Sequence, residues 1–312
     1  VISSSINELY EDLPILVIND WNEINKEFLE QQYIEITERK KRGEYNIDKL
    51  YLQYWLDKIN NNYKIDQTNK HNIHFITYGD SNFEKSKKRI LNEAKDFNEF
   101  KTIKGYGPQD LPEDFKEKYK DIFSMSRGGG YWIWRPIIIE DAINNINDNE
   151  YLIYLDAGCT INKHGKRRFY EYIDKLENSE NHYGILSFQM TNANGKGDFQ
   201  KEKWWTTSNI FEYFNIKPDS DIGESGQYLG GVLIMKKNKH LLEYLDKFKK
   251  CILENPLLCT DKYNNDNQHE GFKDNRHEQS MTSILRKIHG SEVIDGDESW
   301  IVPFGGPESM KY

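Results

Sequence analysis

Asp156 closes an unbroken apolar run, Tyr151-Leu-Ile-Tyr-Leu155, and is followed by Ala157, Gly158 and Cys159. Such a run is the kind of strand that is buried on both faces of a sheet. A carboxylate at its end points into the crevice where open α/β sheets take ligands, and Ala157 and Gly158 leave room around it. An acid so placed holds a divalent metal or accepts a ribose hydroxyl; capping an ordinary turn is the competing role. Three further blocks carry chemistry. Arg127-Gly-Gly-Gly130 and Tyr131-Trp-Ile-Trp134-Arg135-Pro136 combine backbone freedom, indole faces and fixed positive charge, a composition suited to a base, a sugar and a phosphate. Gln227-Tyr-Leu-Gly230-Gly231 leads into the apolar run Val232–Met235, and a glycine pair there marks a close backbone approach to a ligand or to another strand. Arg276-His-Glu278-Gln279-Ser280 opens a helical stretch, where the helix dipole favours a carboxylate in the first turn.

These blocks need elements to hold them. From residue 72 onward strand and helix patterns alternate: strand 72–77, helix 84–97, strand 100–104, helix 113–124, a helix from Pro136 to about 147, strand 151–155, helix 166–177, strands 183–189 and 229–235, helices 239–254 and 277–289, and short strands at 292–294 and 300–302. Alternation of this kind predicts an α/β domain with a mixed, largely parallel central sheet flanked by helices. The long polar stretch 255–275 reads as a mobile loop of the lid type. Residues 1–62 read differently: a strand at 13–18 and helices at 22–41 and 46–60 make a mainly helical appendage, the tail of a preceding domain, joined by a polar linker at 63–71 to a domain at 72–312. The first residue is Val, so the chain is expected to be cut from something longer.

Composition removes several classes. With 51 acidic and 42 basic side chains the net charge is −9, which disfavours non-specific nucleic-acid binding through neutralised phosphates. Three cysteines without a C-x-x-C pair exclude a disulfide framework and a zinc ribbon, and fit a reducing compartment, the cytoplasm. No apolar run reaches the ~20 residues of a membrane span. The chain lacks a phosphate-binding G-x-x-x-x-G-K-[ST] loop, an H-E-x-x-H zinc motif and a G-x-S-x-G elbow.

Taken together, the blocks Tyr131-Trp-Ile-Trp-Arg-Pro136, Tyr154-Leu-Asp-Ala-Gly-Cys159, Gly230-Gly231 and Arg276-His-Glu-Gln-Ser280 resemble, in type and order, nucleotide-sugar glycosyltransferases of the GT-A fold, of the kind found in bacteria and giant viruses. The likeness covers about residues 72–312. The N-terminal segment Leu9–Trp21 resembles the tail of an exostosin-like transferase domain. A viral origin would place the protein in the host cytoplasm.

The resemblance implies transfer of a hexose-like sugar from a nucleotide-diphosphate donor, expected to be a UDP-sugar, to a glycan or protein acceptor. It implies Thr77, Tyr78 and Gly79 along the nucleoside and Asp156 on the ribose or a manganese or magnesium ion. Arg127 or Arg135, with Trp134 beside them, would face the departing diphosphate. Gln189 would face donor or acceptor, Gln227, Gly230 and Gly231 would lie near the sugar ring, and Glu278 and Gln279 at the anomeric carbon. Two departures stand out. An Asp-x-Asp pair would need an acid where Gly158 stands, and the late Asp-Gln reads Glu278-Gln279. Both bear on metal dependence, and the first motivates the alternative of a degenerate module that binds glycan or nucleotide sugar without turnover.

Overall fold

The computed structural model describes residues 26–43, 71–125, 127–163, 165–190 and 200–295. The chain divides into two compact units, Val1–Lys70 and His71–Tyr312. In the first, helix α1 spans Lys26–Lys41, with Glu27 in its first turn and Arg39, Lys40 and Lys41 in its last, the arrangement that complements the helix dipole. The strand expected at 13–18 and the helix at 46–60 lie outside the described residues, as does the strand at 300–302.

The second unit is built on a six-stranded sheet in the order β2-β1-β3-β5-β4-β6. The strands are β1 (Ile73–Tyr78), β2 (Thr102–Tyr106), β3 (Tyr151–Leu155), β4 (Ile185–Gln189), β5 (Val232–Lys236) and β6 (Glu292–Asp295). β1 pairs in parallel with β2 and β3, and β4 with β6; β5 runs antiparallel to both of its neighbours, β3 and β4. The sheet is therefore mixed and mostly parallel, as the alternation requires.

Side-chain alternation splits the core into two apolar layers. Ile73, Phe75, Tyr151 and Ile153 face α2 (Glu84–Phe97) and α4 (Lys166–Glu177) through Ile90, Ala94, Ile173 and Leu176. Ile76, Tyr78, Leu152 and Tyr154 face α3 (Arg135–Asn144), α5 (Lys239–Glu254) and α6 (Glu278–His289) through Ile138, Ile139, Tyr244, Phe248 and Met281. Helices thus cover both faces. Among the described residues no helix is long and apolar enough to cross a membrane.

The antiparallel β5 matters for function. β4 ends and β5 begins at the same edge of the sheet, and this brings Gly230 and Gly231, just before β5, to the carboxyl end of β3, where Leu155 pairs with Val232. The ladder starts three residues later than the sequence pattern suggests. The carbonyls of Tyr228 and Leu229 accept instead from the Arg286 guanidinium, at 3.2 and 2.9 Å.

Other differences have local causes. The helix expected over 113–124 breaks at Tyr119, whose backbone leaves helical geometry (φ −111°, ψ 25°) and whose hydroxyl donates to the Leu253 carbonyl at 3.1 Å. Segment 255–275 is not a free lid. It folds into short 3-10 turns at Pro256–Cys259 and Asp261–Tyr263. Buried Asn275 donates to the carbonyls of Leu258 and Thr260, both at 3.1 Å, and His269 bonds Ser208 and the Lys203 carbonyl.

Candidate functional site

β2 and β3 lie on opposite sides of β1, so the chain leaves the carboxyl ends of β1 and β3 in opposite directions. That is the topological switch point at which open α/β sheets form a ligand crevice. Asp156 stands there, directly after β3. Its Oδ1 accepts from Arg135 at 2.9 Å and from the Tyr154 hydroxyl at 2.5 Å, and its backbone N–H donates to the Gly231 carbonyl at 2.9 Å. Its Oδ2 faces Gly231 so closely that a Cβ on that glycine would lie 2.7 Å away. The side chain remains 39% exposed, and Oδ2 takes no hydrogen bond among the described residues. The turn after it is fixed from α2: Arg89 donates to the carbonyls of Ala157 and Cys159, at 3.2 and 2.7 Å. Burial, with help from Asp156, pushes the Cys159 thiol up to about 12, which removes it as a nucleophile at neutral pH.

Arg135, the first residue of α3, is buried between two carboxylates, Asp156 and Glu278. Burial works against its charge, but Glu278, Tyr154 and Asp156 outweigh that and hold the guanidinium protonated, above its ordinary value. Glu278 opens α6 and is 2% exposed. Burial pushes its carboxyl above the ordinary carboxylate range, with Arg135 and Arg286 pulling against it. Glu278 therefore meets Arg135 rather than open solvent, and it reaches the crevice through that guanidinium.

Gln279, one residue on, is half-buried and bridges the Gly230 backbone and the Gln227 side chain. Its Oε1 accepts from the Gly230 N–H at 2.8 Å and its Nε2 donates to Gln227 Oε1 at 2.7 Å. A Cβ on Gly230 would lie 3.0 Å from that of Gln279, so the glycine is what lets α6 approach. Gln227 is fully buried, and its amide nitrogen donates to Glu202 at 2.9 Å and Thr206 at 3.2 Å. Glu202 is in turn paired with Lys287 at 2.8 Å. Gln227 thus belongs to a buried polar network beneath the glycine pair, with Gln279 beside it.

The glycine–tryptophan block turns left-handed. Gly128 to Trp132 all have positive φ, at 58°, 59°, 97°, 51° and 60°. Glycines take this conformation freely; Tyr131 and Trp132 do not. Trp134 is buried and stacked on Tyr78, ring centroids 3.7 Å apart at 18°, with its indole N–H on the Gly128 carbonyl at 3.0 Å. One face of the indole is taken by Tyr78, and both rings are buried. Gly79 is buried, donating to the Tyr106 carbonyl and accepting from Lys87. Thr77 is fully buried on the opposite face of β1, and its hydroxyl finds no partner among the described residues. Arg127 is half-exposed and 3.2 Å from Asp261. Gln189 ends β4, bridged to Tyr228.

The fold thus gathers Asp156, Arg135, Glu278, Gln279, Gly230 and Gly231 into one contiguous cluster, with Tyr78 and Trp134 nearby in β1 and the turn before α3. Sequence reasoning missed Tyr154, Arg89, Arg286 and Asp261. Tyr154 had a signal: two residues before Asp156 on a strand, it shares that residue's face. The others sit on helices or in a polar loop, where an arginine or aspartate is the ordinary surface residue.

Among the described residues no three His, Cys, Asp or Glu side chains converge on a metal position. Asp156 Oδ2 alone at this edge fits an ion carried in by a diphosphate, since magnesium is commonly held by one or two carboxylates plus substrate phosphates. It does not fit an ion held by the protein by itself. A Cβ on Gly158 would meet nothing within 4 Å, so the place of a second acid is open space.

No family model matches the chain, and no curated protein matches it. Solved structures do. One is a glycosyltransferase involved in the glycosylation of the major capsid of PBCV-1, at 13% identity over 77% of this chain and 90% of that one, TM-score 0.41. Another is the galactosyltransferase LgtC in complex with donor and acceptor sugar analogues, at 10% identity over 72% and 73%, TM-score 0.36. A third is 4-diphosphocytidyl-2C-methyl-D-erythritol synthase from Anaerococcus prevotii, at 10% identity over 78% and 96%, TM-score 0.37. At identities of 10–13% the chemistry of this chain has to be read from its own residues.

Proposed function

We propose that this chain is a GT-A glycosyltransferase that moves a sugar from a nucleotide-diphosphate donor, a UDP-sugar, to a glycan or protein acceptor. The observation that carries the reading is the cluster at the switch point: Asp156 held through Oδ1 by Arg135 and Tyr154, against a glycine pair whose backbone admits close approach. Asp156 Oδ2 accepts a ribose or sugar hydroxyl, or ligates an ion that enters with the diphosphate. Such an ion, manganese or magnesium, would neutralise charge developing on the leaving diphosphate, usually the largest catalytic contribution in such transfers. Gly230 and Gly231 let Gln279 and Asp156 pack against the backbone beside which the donor sugar would lie. The Gln279 amide, shared between Gly230 and Gln227, sets their place. Arg135 and Glu278 act by orienting Asp156. The order of the four sequence blocks supports the finer assignment to the bacterial and giant-virus type, and residues 1–62 belong to the same proposal as an appendage from a preceding exostosin-like domain.

The test is a thermal-shift panel of nucleotide sugars with and without manganese. A ligand that binds only the folded chain at a hundredfold excess over Kd stabilises it by about 2.7 kcal/mol. Absence of any shift at millimolar UDP-sugar would sink the reading. The open position at Gly158 favours one alternative, a module that binds donor or glycan without turnover. It is separated from the enzyme by UDP release in the presence of glycan acceptors: stabilisation with no UDP released selects the module.

A further inference from the structure

The two segments that carry Arg135 and Glu278 into their ion pair converge on a carboxylate outside it. Asp261 Oδ2 accepts from the Tyr131 hydroxyl at 2.7 Å and lies 3.2 Å from Arg127; its Oδ1 accepts from His277 Nε2 at 2.9 Å. Tyr131 lies in the left-handed turn just before Arg135, and His277 immediately precedes Glu278. Both segments are strained. Tyr131 and Trp132 have φ of 51° and 60°, and His277 sits at φ 62°, ψ −130°, which side chains with a Cβ rarely adopt. Conformations of this sort persist only where the surroundings over-determine them, and Asp261 is the partner both segments share. It is itself well placed: Asn275 holds the preceding Thr260 carbonyl at 3.1 Å, and Asn264 donates to Asp261 Oδ1 at 3.3 Å. The His277 ring also packs between Tyr131 and Trp132, with centroids 5.2 and 5.5 Å away. Its ring is held below the ordinary histidine value, by burial first, so it is neutral near pH 7 and donates to Asp261 through Nε2–H.

We propose that Asp261 is a positioning residue: by tying the left-handed turn 128–132 to His277 it sets how Arg135 meets Glu278, and through Arg135 how Asp156 is presented. The structural half stands on the geometry alone; the functional half rests on the nucleotide-binding reading of Asp156.

The test uses the full chain with Asp261→Asn, and Lys262→Ala, an exposed neighbour, as the control. Asn keeps the size but turns an amide N–H toward groups that themselves donate. Hydrogen exchange is expected to accelerate about tenfold or more in 127–135 and in 277–280, with 84–97 and 166–177 unchanged, and UDP binding measured by calorimetry is expected to weaken about tenfold. Acceleration at one segment or neither, or uniformly across the domain, would overturn the proposal. So would UDP affinity within twofold of wild type once both segments have loosened. If wild-type chain binds no UDP, the nucleotide reading falls, while the exchange pattern still decides whether Asp261 couples the two segments. Should Asp261→Asn fail to fold, Tyr131→Phe carries the same test. It keeps the ring against His277 and removes only the hydroxyl, so faster exchange at 277–280 is expected and unchanged exchange there would overturn the coupling.

Discussion

Arg135 and Glu278, 143 residues apart in sequence, form an enclosed ion pair, and the other arm of the same guanidinium holds Asp156 at 2.9 Å. One buried cation therefore joins the start of α3, the start of α6 and the end of β3. A buried charge stripped of its partner is costly, and this gives the cluster both its rigidity and its sensitivity to substitution.

Glu278→Gln should accordingly be a stability variant first. Removing one charge from a buried pair typically costs about 3–5 kcal/mol, less whatever the Gln carbonyl still offers Arg135. At roughly 2–4 °C per kcal/mol for a domain of this size, a fall in Tm of roughly 6–20 °C is expected by calorimetry. A Tm within 2 °C of wild type would show that the pair contributes little and would return Glu278 to a directly chemical role.

Asp156→Asn separates orientation from charge. The amide oxygen can still accept from Arg135 and Tyr154, so the fold should hold, while the other oxygen becomes an N–H donor or loses its charge. UDP-sugar affinity is expected to drop at least tenfold, with Tm changed by only a few degrees. Calorimetric titration showing wild-type affinity would remove Asp156 from the donor site.

The two glycines beside this carboxylate should respond in opposite ways. Gly231→Ala places a Cβ 2.7 Å from Asp156 Oδ2 and must displace the carboxylate, whereas Gly158→Ala meets nothing within 4 Å. Donor affinity should fall about tenfold in the first and stay within twofold in the second. Gly158→Asp is expected to be equally well tolerated and to make donor binding manganese-dependent by restoring a second carboxylate. Identical titrations with manganese and with chelator would refute that.

The acid limb of stability should come in two stages. Burial is the leading cause that holds His74 and His240 below the ordinary histidine value of 6.5; Lys101 adds to it at His74, and His289 and Lys247 add to it at His240. The Glu150 bond to His74 and the charge of Glu243 near His240 oppose the shift without reversing it. The unfolded chain therefore takes up protons near pH 6.5 that the folded chain refuses, so stability is flat above about pH 7 and declines as pH falls through 6.5. Glu150 behaves the other way round: burial would raise it, but Asn147, Lys101 and His74 bring it down to about 2 from 4.5. Its contribution is present above 4.5 and is lost between about 4.5 and 2. Urea midpoints from pH 8 to pH 3 should show both stages, and His240→Gln should reduce the first without abolishing it, since His74 and His277 remain. A midpoint unchanged between pH 7 and 5 would contradict the histidine stage.

The sequence by itself determined the elements and most of the cluster. Strand 151–155, helix 166–177 and helix 239–254 were legible to the residue, because apolar periodicity and caps are local properties. Asp156, the glycine pair and the Glu278-Gln279 helix start were legible for the same reason: each marks a junction between elements. What each residue touches was decided by tertiary structure. An arginine after two tryptophans reads as a phosphate contact until the antiparallel β5 and the approach of α6 bury it between two carboxylates. Gln227 reads as a sugar contact until Glu202, from a turn 25 residues away, takes it into the interior. Asp261 reads as loop polarity until the fold sets it between Tyr131 and His277, 130 and 16 residues distant. Contacts at such separations leave no periodic trace in the chain; only closure of the sheet edge brings the partners within hydrogen-bonding distance.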